Sequence, residues 1–221
     1  MNLPLYFDYA STTPVRSEVL GKMLPYFSIL YGNSGSNFHH YGWLAQEAID
    51  LSRNQISDYF NVKPSSIIYT SGATESNNLA IKGYLKGIPK GHLITSIIEH
   101  KAVLEIFSQL ENEGYDVTYL RPNQEGQITK EELLNAIKVD TIFVSLMMVN
   151  NEIGTISDYV AFKNICDLRS ICFHSDATQA LGKIYLDLTN LPHLLSFSGH
   201  KIYAPKGIGG LLINNNIKIS P

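Results

Sequence analysis

Five short polar clusters in this 221-residue sequence carry groups able to do chemistry. Ser71-Gly72-Ala73-Thr74 is a small-residue turn leading from an apolar stretch into a helical one. Free amides at a helix start, aided by the helix dipole, suit a phosphate, although the same residues also make an ordinary tight turn. His100 follows a second apolar run, where a histidine reads as a structural residue or a helix cap. Asn150-Asn151-Glu152-Ile153-Gly154 has the composition of a turn. His174-Ser175-Asp176-Ala177-Thr178-Gln179 offers Asp176 as a helix cap, a surface charge or the partner of a cationic ring nitrogen. Gln179, three residues on, is spaced to help position whatever Asp176 touches. Ser198-Gly199-His200-Lys201 precedes Lys206-Gly207-Ile208-Gly209-Gly210. A lysine at a strand end inside a cleft is suited to Schiff-base chemistry, and chemistry alone does not choose between Lys201 and Lys206.

These clusters need elements to bring them together. From about residue 64 the sequence alternates short apolar runs with helical ones: strands at 67–69, 92–98, 116–120, 141–148, 171–174, 194–197 and 208–213. Between them, the spacing of Val103, Ile106, Phe107 and Leu110 predicts an amphipathic helix ending near Gly114. Thr129-x-x-Glu132 predicts a capping box, and residues 160–168 a further helix. Such alternation implies an α/β sheet with helices on both faces, in which ligands sit at the carboxyl ends of strands. Each polar cluster falls at one of those ends. The first sixty residues read as two helices around the loop Gly32-Asn33-Ser34-Gly35-Ser36. Thr13-Pro14 is placed as the first helix start, and Leu44, Ala48, Leu51, Gln55/Ile56 and Tyr59 as the stripe of the second.

Composition bounds the function. Charged residues make up 17% and hydrophobic ones 44%, which excludes an extended disordered chain. The net charge of −3 gives no electrostatic basis for binding nucleic acid. No apolar run reaches the ~18 residues of a membrane span. The opening Met-Asn-Leu-Pro lacks the basic start of a signal peptide. Cys166 and Cys172 are too few for a disulfide framework, fit no common metal spacing and flank a buried strand, so no metal site is expected. A cytoplasmic setting is the expectation.

Taken in order, Thr-Ser-Gly-Ala-Thr-Glu-Ser at 70–76, Glu-His-Lys-Ala-Val at 99–103, Val-Asn-Asn-Glu-Ile-Gly at 149–154, His-x-Asp-Ala-Thr-Gln at 174–179 and Ser-Gly-His-Lys at 198–201 resemble the cysteine desulfurases. These belong to the IscS/NifS type, in the class V aminotransferase group of pyridoxal-phosphate enzymes. The opening Phe-Asp-Tyr-Ala-Ser-Thr-Thr-Pro at 7–14 and the loop at 32–36 match as well. The resemblance implies a fold type I pyridoxal-phosphate transferase large domain over residues 64–221, preceded by an N-terminal helical segment over 1–63, with residues 208–213 as the antiparallel strand. It implies Lys201, rather than Lys206, as the lysine joined to the cofactor and Asp176 as partner of the pyridinium nitrogen. Gln179 would bond the phenolic oxygen, and His100 would stack on the ring and assist proton transfer. Asn151 would lie beside the ring oxygen and the substrate carboxylate, while Ala73, Thr74, Ser198 and His200 would hold the phosphate. The implied reaction takes sulfur from L-cysteine, leaving alanine and a persulfide that passes to sulfur acceptors and an iron–sulfur scaffold, in a cytoplasmic homodimer. A selenocysteine lyase, an aminotransferase or a non-enzymatic interaction module are the alternatives.

Three departures from the pattern stand out. Ser34 and Ser175 replace common Pro and Val, and Ala204 replaces a Gly; if that backbone needs φ > 0, Ala204 adds strain on the order of a kcal/mol. The family's nucleophilic-cysteine loop, carboxylate-binding arginine and small C-terminal domain have no counterpart within these residues. The chain alone is therefore not expected to sustain cysteine turnover, and it is expected to expose apolar surface.

Overall fold

Short runs rich in Ile, Leu, Val and Phe pair into one seven-stranded sheet in the computed structural model, which describes residues 4–214 and 217–220. The first three residues and Asn215 and Asn216 of the asparagine run lie outside the described residues. The strands are β1 Ile67–Thr70, β2 His92–Ser96, β3 Asp116–Leu120, β4 Thr141–Ser145, β5 Cys172–Asp176, β6 Leu194–Ser198 and β7 Gly209–Ile213, in the order β1-β7-β6-β5-β4-β2-β3. The four contacts among β3, β2, β4, β5 and β6 are parallel, and β7 is antiparallel to both β6 and β1. Six strands therefore point one way and β7 alone runs against them. The carboxyl ends of β1, β2, β4, β5 and β6 share one edge of the sheet. Strands 92–98 and 141–148 of the sequence reading stop early, at Ser96 and Ser145, because the following residues turn away to build that edge.

The central strands are buried on both faces, as parallel strands under two helical layers must be. On one face, helices α4 Ala73–Leu85 and α5 Lys101–Asn112 pack Ala80, Ile81, Val103, Ile106, Phe107 and Leu110 against Leu93, Phe143, Leu194 and Leu211. On the other, α6 Lys130–Ala136 and α7 Tyr159–Asp167 bring Leu133, Tyr159 and Phe162 to Ile94, Val144, Phe173 and Leu195. The predicted capping box forms: Thr129 Oγ1 accepts from the Glu132 N–H, and Glu132 accepts from the Thr129 N–H.

The N-terminal layer departs most from the sequence reading. Helix α1 covers Ser17–Met23 and α2 Pro25–Ser28, with Arg16 as the first cap and no side-chain bond there. Thr13 does not cap. Its buried hydroxyl donates to the His200 carbonyl and accepts from the Tyr203 N–H, so it is committed to a turn 190 residues away. Helix α3, His40–Phe60, is rotated relative to the predicted stripe: Gly42, Ala45, Ser57 and Phe60 face inward, while Leu51 and Tyr59 face out. Gly42 fixes that rotation, since a Cβ there would lie 1.9 Å from the Ser36 carbonyl oxygen. Large apolar side chains remain exposed across this layer, with Phe7 at 86%, Phe27 at 72% and Phe38 at 88%.

Candidate functional site

The residues that follow the strand ends close around one cavity of about 730 Å³. Ala73, Thr74, His100, Asn151, Asp176, Gln179, Ser198, His200 and Lys201 all line it, and so does Lys206. Ala73 and Thr74 open α4, directly after β1, so their amides belong to the first turn and have no carbonyl four residues back. The turn into α4 is pressed against β7: a Cβ at Gly209 would lie 2.6 Å from Gly72 Cα and 2.7 Å from the Phe197 carbonyl oxygen. Only glycine fits at that crossing.

Asp176, at the last position of β5, is buried. Its Oδ1 accepts from the Thr178 N–H at 2.9 Å, the local turn that favours Asp at such a corner. Its Oδ2 accepts from Asn77 Nδ2 at 2.9 Å. Asn77 was not singled out in the sequence; it looks like any polar residue of α4, and only the packing of that helix across the sheet shows that it faces inward. Beneath Asp176 runs a cross-strand chain in which Ser145 Oγ lies 2.8 Å from His174 Nδ1, and His174 Nε2 3.0 Å from Ser196 Oγ. Burial pushes the His174 pKa down to about 4 against the pull of the Asp176 carboxylate, so this histidine is neutral at pH 7.

Glu99 also escaped attention. Burial, and secondarily the nearby Asp176 charge, raise its pKa to about 8, while its Oε1 accepts from the Met147 N–H at 2.8 Å. It thus joins the β2 and β4 ends from below. Its neighbour His100 caps α5, with Nδ1 accepting from the Ala102 N–H at 3.1 Å; a neutral ring then carries its proton on Nε2. Asn150 is the knot that sets Asn151 in place: Nδ2 donates to the Ile98 carbonyl, and Oδ1 accepts from the Glu152 and Ile153 N–H groups. Asn151 itself donates to Glu152 Oε1.

Lys201 ends a short 3-10 turn, Gly199–Lys201, after β6. Its Nζ donates to the carbonyls of Ala10 and Ser11 at 2.8 and 2.6 Å, so the N-terminal segment lies across the cavity. Burial lowers the Lys201 pKa, with Asp8 and Asp176 pulling it back up. His200 Nδ1 lies 3.1 Å from Thr12 Oγ1, and burial, then Lys201, Lys206 and Lys183, lower its pKa. The strain expected at Ala204 falls elsewhere. Tyr203, not Ala204, takes the left-handed conformation, at φ 64, and its N–H and carbonyl are held by Thr13 and the Arg16 N–H. Ser175 is accommodated because its buried hydroxyl donates to the Leu146 carbonyl at 2.6 Å. Cys166 and Cys172 are buried in the core and their thiol pKa values are raised by burial, so both stay protonated and inert. Among the described residues, no group of three or more His, Cys, Asp or Glu side chains is placed to hold a metal ion, and no helix is long and apolar enough to cross a membrane.

An open sheet with a single reversed strand and polar residues gathered at its carboxyl edge defines a class, and the sequence agrees. The aminotransferase class-V family model matches residues 5–220, and the chain belongs to that family. Its relatives narrow the comparison. The chain is 50% identical over 224 residues to the cysteine desulfurase IscS of Escherichia coli, covering 99% of this chain and 55% of that protein. The IscS of Shigella boydii serotype 18 matches equally, at 50%. Among solved structures, SspA in complex with cysteine superposes with a TM-score of 0.91 at 43% identity, covering 98% of this chain and 63% of that one. A NifS-like protein superposes at 0.94 with 35% identity, covering 99% and 61%. The chain thus spans about half the length of the curated relatives it matches.

Proposed function

We propose that this chain forms the cofactor-binding part of a pyridoxal-phosphate-dependent cysteine desulfurase. The observation that carries the reading is the convergence on one cavity of nine residues from five separate strand ends, among them Lys201 and the buried carboxylate of Asp176. The cavity's chemistry fits pyridoxal phosphate from end to end. The α4 amides at Ala73 and Thr74, with Ser198 and His200, form a site for a phosphate dianion. Asp176 offers a fixed carboxylate to a protonated ring nitrogen, held from behind by Asn77. Thr178 lines the same cavity, and its buried hydroxyl has no hydrogen-bond partner among the described residues.

Bound there, pyridoxal phosphate supplies an electron sink for a carbanion formed next to it. The protein's part is to hold and to move protons. Lys201, with its pKa lowered by burial, gives up a proton more readily than a solvated lysine and would be the residue that holds the cofactor. His100, with Nδ1 taken up by the Ala102 N–H, would present its Nε2 proton to the ring, and Gln179 and Asn151 would hold the ring oxygen. The proposed substrate is L-cysteine, the proposed products are alanine and a persulfide, and the proposed sulfur acceptors are partner proteins and an iron–sulfur scaffold, in a cytoplasmic homodimer. The solved relative that holds cysteine supports the choice of substrate.

The test is direct. Incubating the purified chain with pyridoxal phosphate, reducing with borohydride and mapping peptides will place the pyridoxyl label on Lys201, and Lys201→Ala will abolish it. Label on Lys206 instead, or none on the unmodified chain, overturns the assignment. Assays of alanine and sulfide from cysteine will show no sustained turnover by these 221 residues. The groups that attack sulfur and clamp the carboxylate are expected from the half of the relatives that this chain does not span.

A further inference from the structure

Gln179 sits between two groups that cannot exchange roles. Its Oε1 accepts from the Lys183 ammonium, one turn further along, and its Nε2 donates to the Ala10 carbonyl at 2.8 Å. An ammonium has only donors and a peptide carbonyl only acceptors. The amide therefore has one favourable orientation. Flipped, it would set N–H against ammonium and oxygen against oxygen. With one Nε2 hydrogen committed to Ala10, the other is left for the cavity that Gln179 lines.

We propose that Lys183 is a positioning residue: it fixes which atom Gln179 turns toward the cavity, so that an N–H donor, not an oxygen, faces the ring oxygen of the cofactor. The inference rests on the cofactor reading given above and extends it to a residue outside the sequence motifs that suggested it. A donor at that point stabilises the ionised ring oxygen, whereas a flipped amide would repel it. Lys183 is exposed and is not among the residues that line the cavity; its charge also bears on Lys201 and His200, and the Gln179→Leu background separates that effect from the one carried by Gln179. The same Ala10 carbonyl accepts from Lys201, so the orientation of Gln179 and the placement of the anchoring lysine share one acceptor.

The experiment compares the unmodified chain, Lys183→Met, Lys183→Arg and Gln179→Leu, and adds the double variant Lys183→Met with Gln179→Leu. Two readouts are used. In the cofactor-free chain, nitrogen-15 NMR follows the Gln179 side-chain amide. In the chain loaded with pyridoxal phosphate, the visible absorbance of the bound cofactor is titrated against pH. Lys183→Met is expected to move the Gln179 amide signals toward those of a solvent-exposed glutamine and to raise the titration midpoint by about one pH unit, because the ionised ring oxygen loses its donor. Lys183→Arg should restore both, and Lys183→Met should add nothing once Gln179 is Leu. An unchanged amide signal and midpoint in Lys183→Met, or equal shifts with and without Gln179, overturns the proposal. Failure of the unmodified chain to take up pyridoxal phosphate overturns the cofactor reading instead. The amide signals of the cofactor-free chain then still decide whether Lys183 holds Gln179.

Discussion

Thr13 uses one hydroxyl to satisfy two backbone groups of the turn that carries Lys201. Thr13→Val keeps the shape and takes away the acceptor of the part-buried Tyr203 N–H and the donor to the His200 carbonyl. Urea denaturation should show a loss of about 1 kcal/mol, the net worth of an ordinary hydrogen bond. Glu99 and His174 set opposite pH limbs. The Glu99 pKa rises from 4.5 to about 8 on folding, so the native state holds a proton that the unfolded chain releases; its contribution weakens as pH rises through that interval. The His174 pKa falls from 6.5 to about 4, so its penalty sets in as pH drops through that range. Glu99→Gln retains an acceptor for the Met147 N–H. Thermal unfolding should therefore show it gaining on the unmodified chain at pH 8 and above and not near pH 4.5. These residues mark the limit of reading side chains from sequence. Asp176 and Lys201 stand in recognisable clusters, but Asn77 and Glu99 matter only through what lies opposite them in space. Thr13 beside Pro14 has the local chemistry of a cap, and a distant carbonyl outcompetes it.

At the scale of elements, the parallel strands and the helices that cover them were legible because burial on both faces leaves long apolar runs and capping chemistry leaves local marks. The rotation of α3 was not, because the sequence holds two possible stripes and a backbone contact at Gly42 chooses between them. The crossing of the α4 turn over β7 invites a test. Gly209→Ala places a methyl within 2.6 Å of Gly72 Cα and must move backbone. We expect a stability loss of about 1–3 kcal/mol. Uptake of pyridoxal phosphate, followed by fluorescence quenching, should weaken by more than tenfold, because the Ala73 and Thr74 amides shift with the turn. We also propose residues 1–63 as a unit that loosens before the sheet. α1 and α2 bury no residue, and α3 contributes chiefly its last turn. Hydrogen exchange should run fastest over residues 17–40, outside the stretch that Thr13 and Arg16 tie to the Lys201 turn, and slowest in β4, β5 and β6, with exchange in α3 slowing toward Phe60. Uniform protection across the chain would remove that boundary.

For the whole molecule, the exposed Phe7, Phe27 and Phe38 all lie in the N-terminal layer, where contiguous apolar surface would favour association. Sedimentation at rising concentration should show association, and replacing Phe27 and Phe38 with Ser should suppress it; a stable monomer throughout would count against the homodimer proposal. The sheet also has a consequence for time. β1 is made early, yet its hydrogen-bonding partner is β7, some 140 residues later, and the carbonyls of Ala10 and Ser11 wait about 190 residues for Lys201. On the ribosome, at roughly 5–20 residues per second, β1 spends several seconds or more as an unpaired edge while the other six strands are still being made. An edge of that kind recruits other strands. The early residues are thus the most exposed to mispairing, and they need shelter until the last fifty residues arrive to close the sheet and assemble the cavity in the same step.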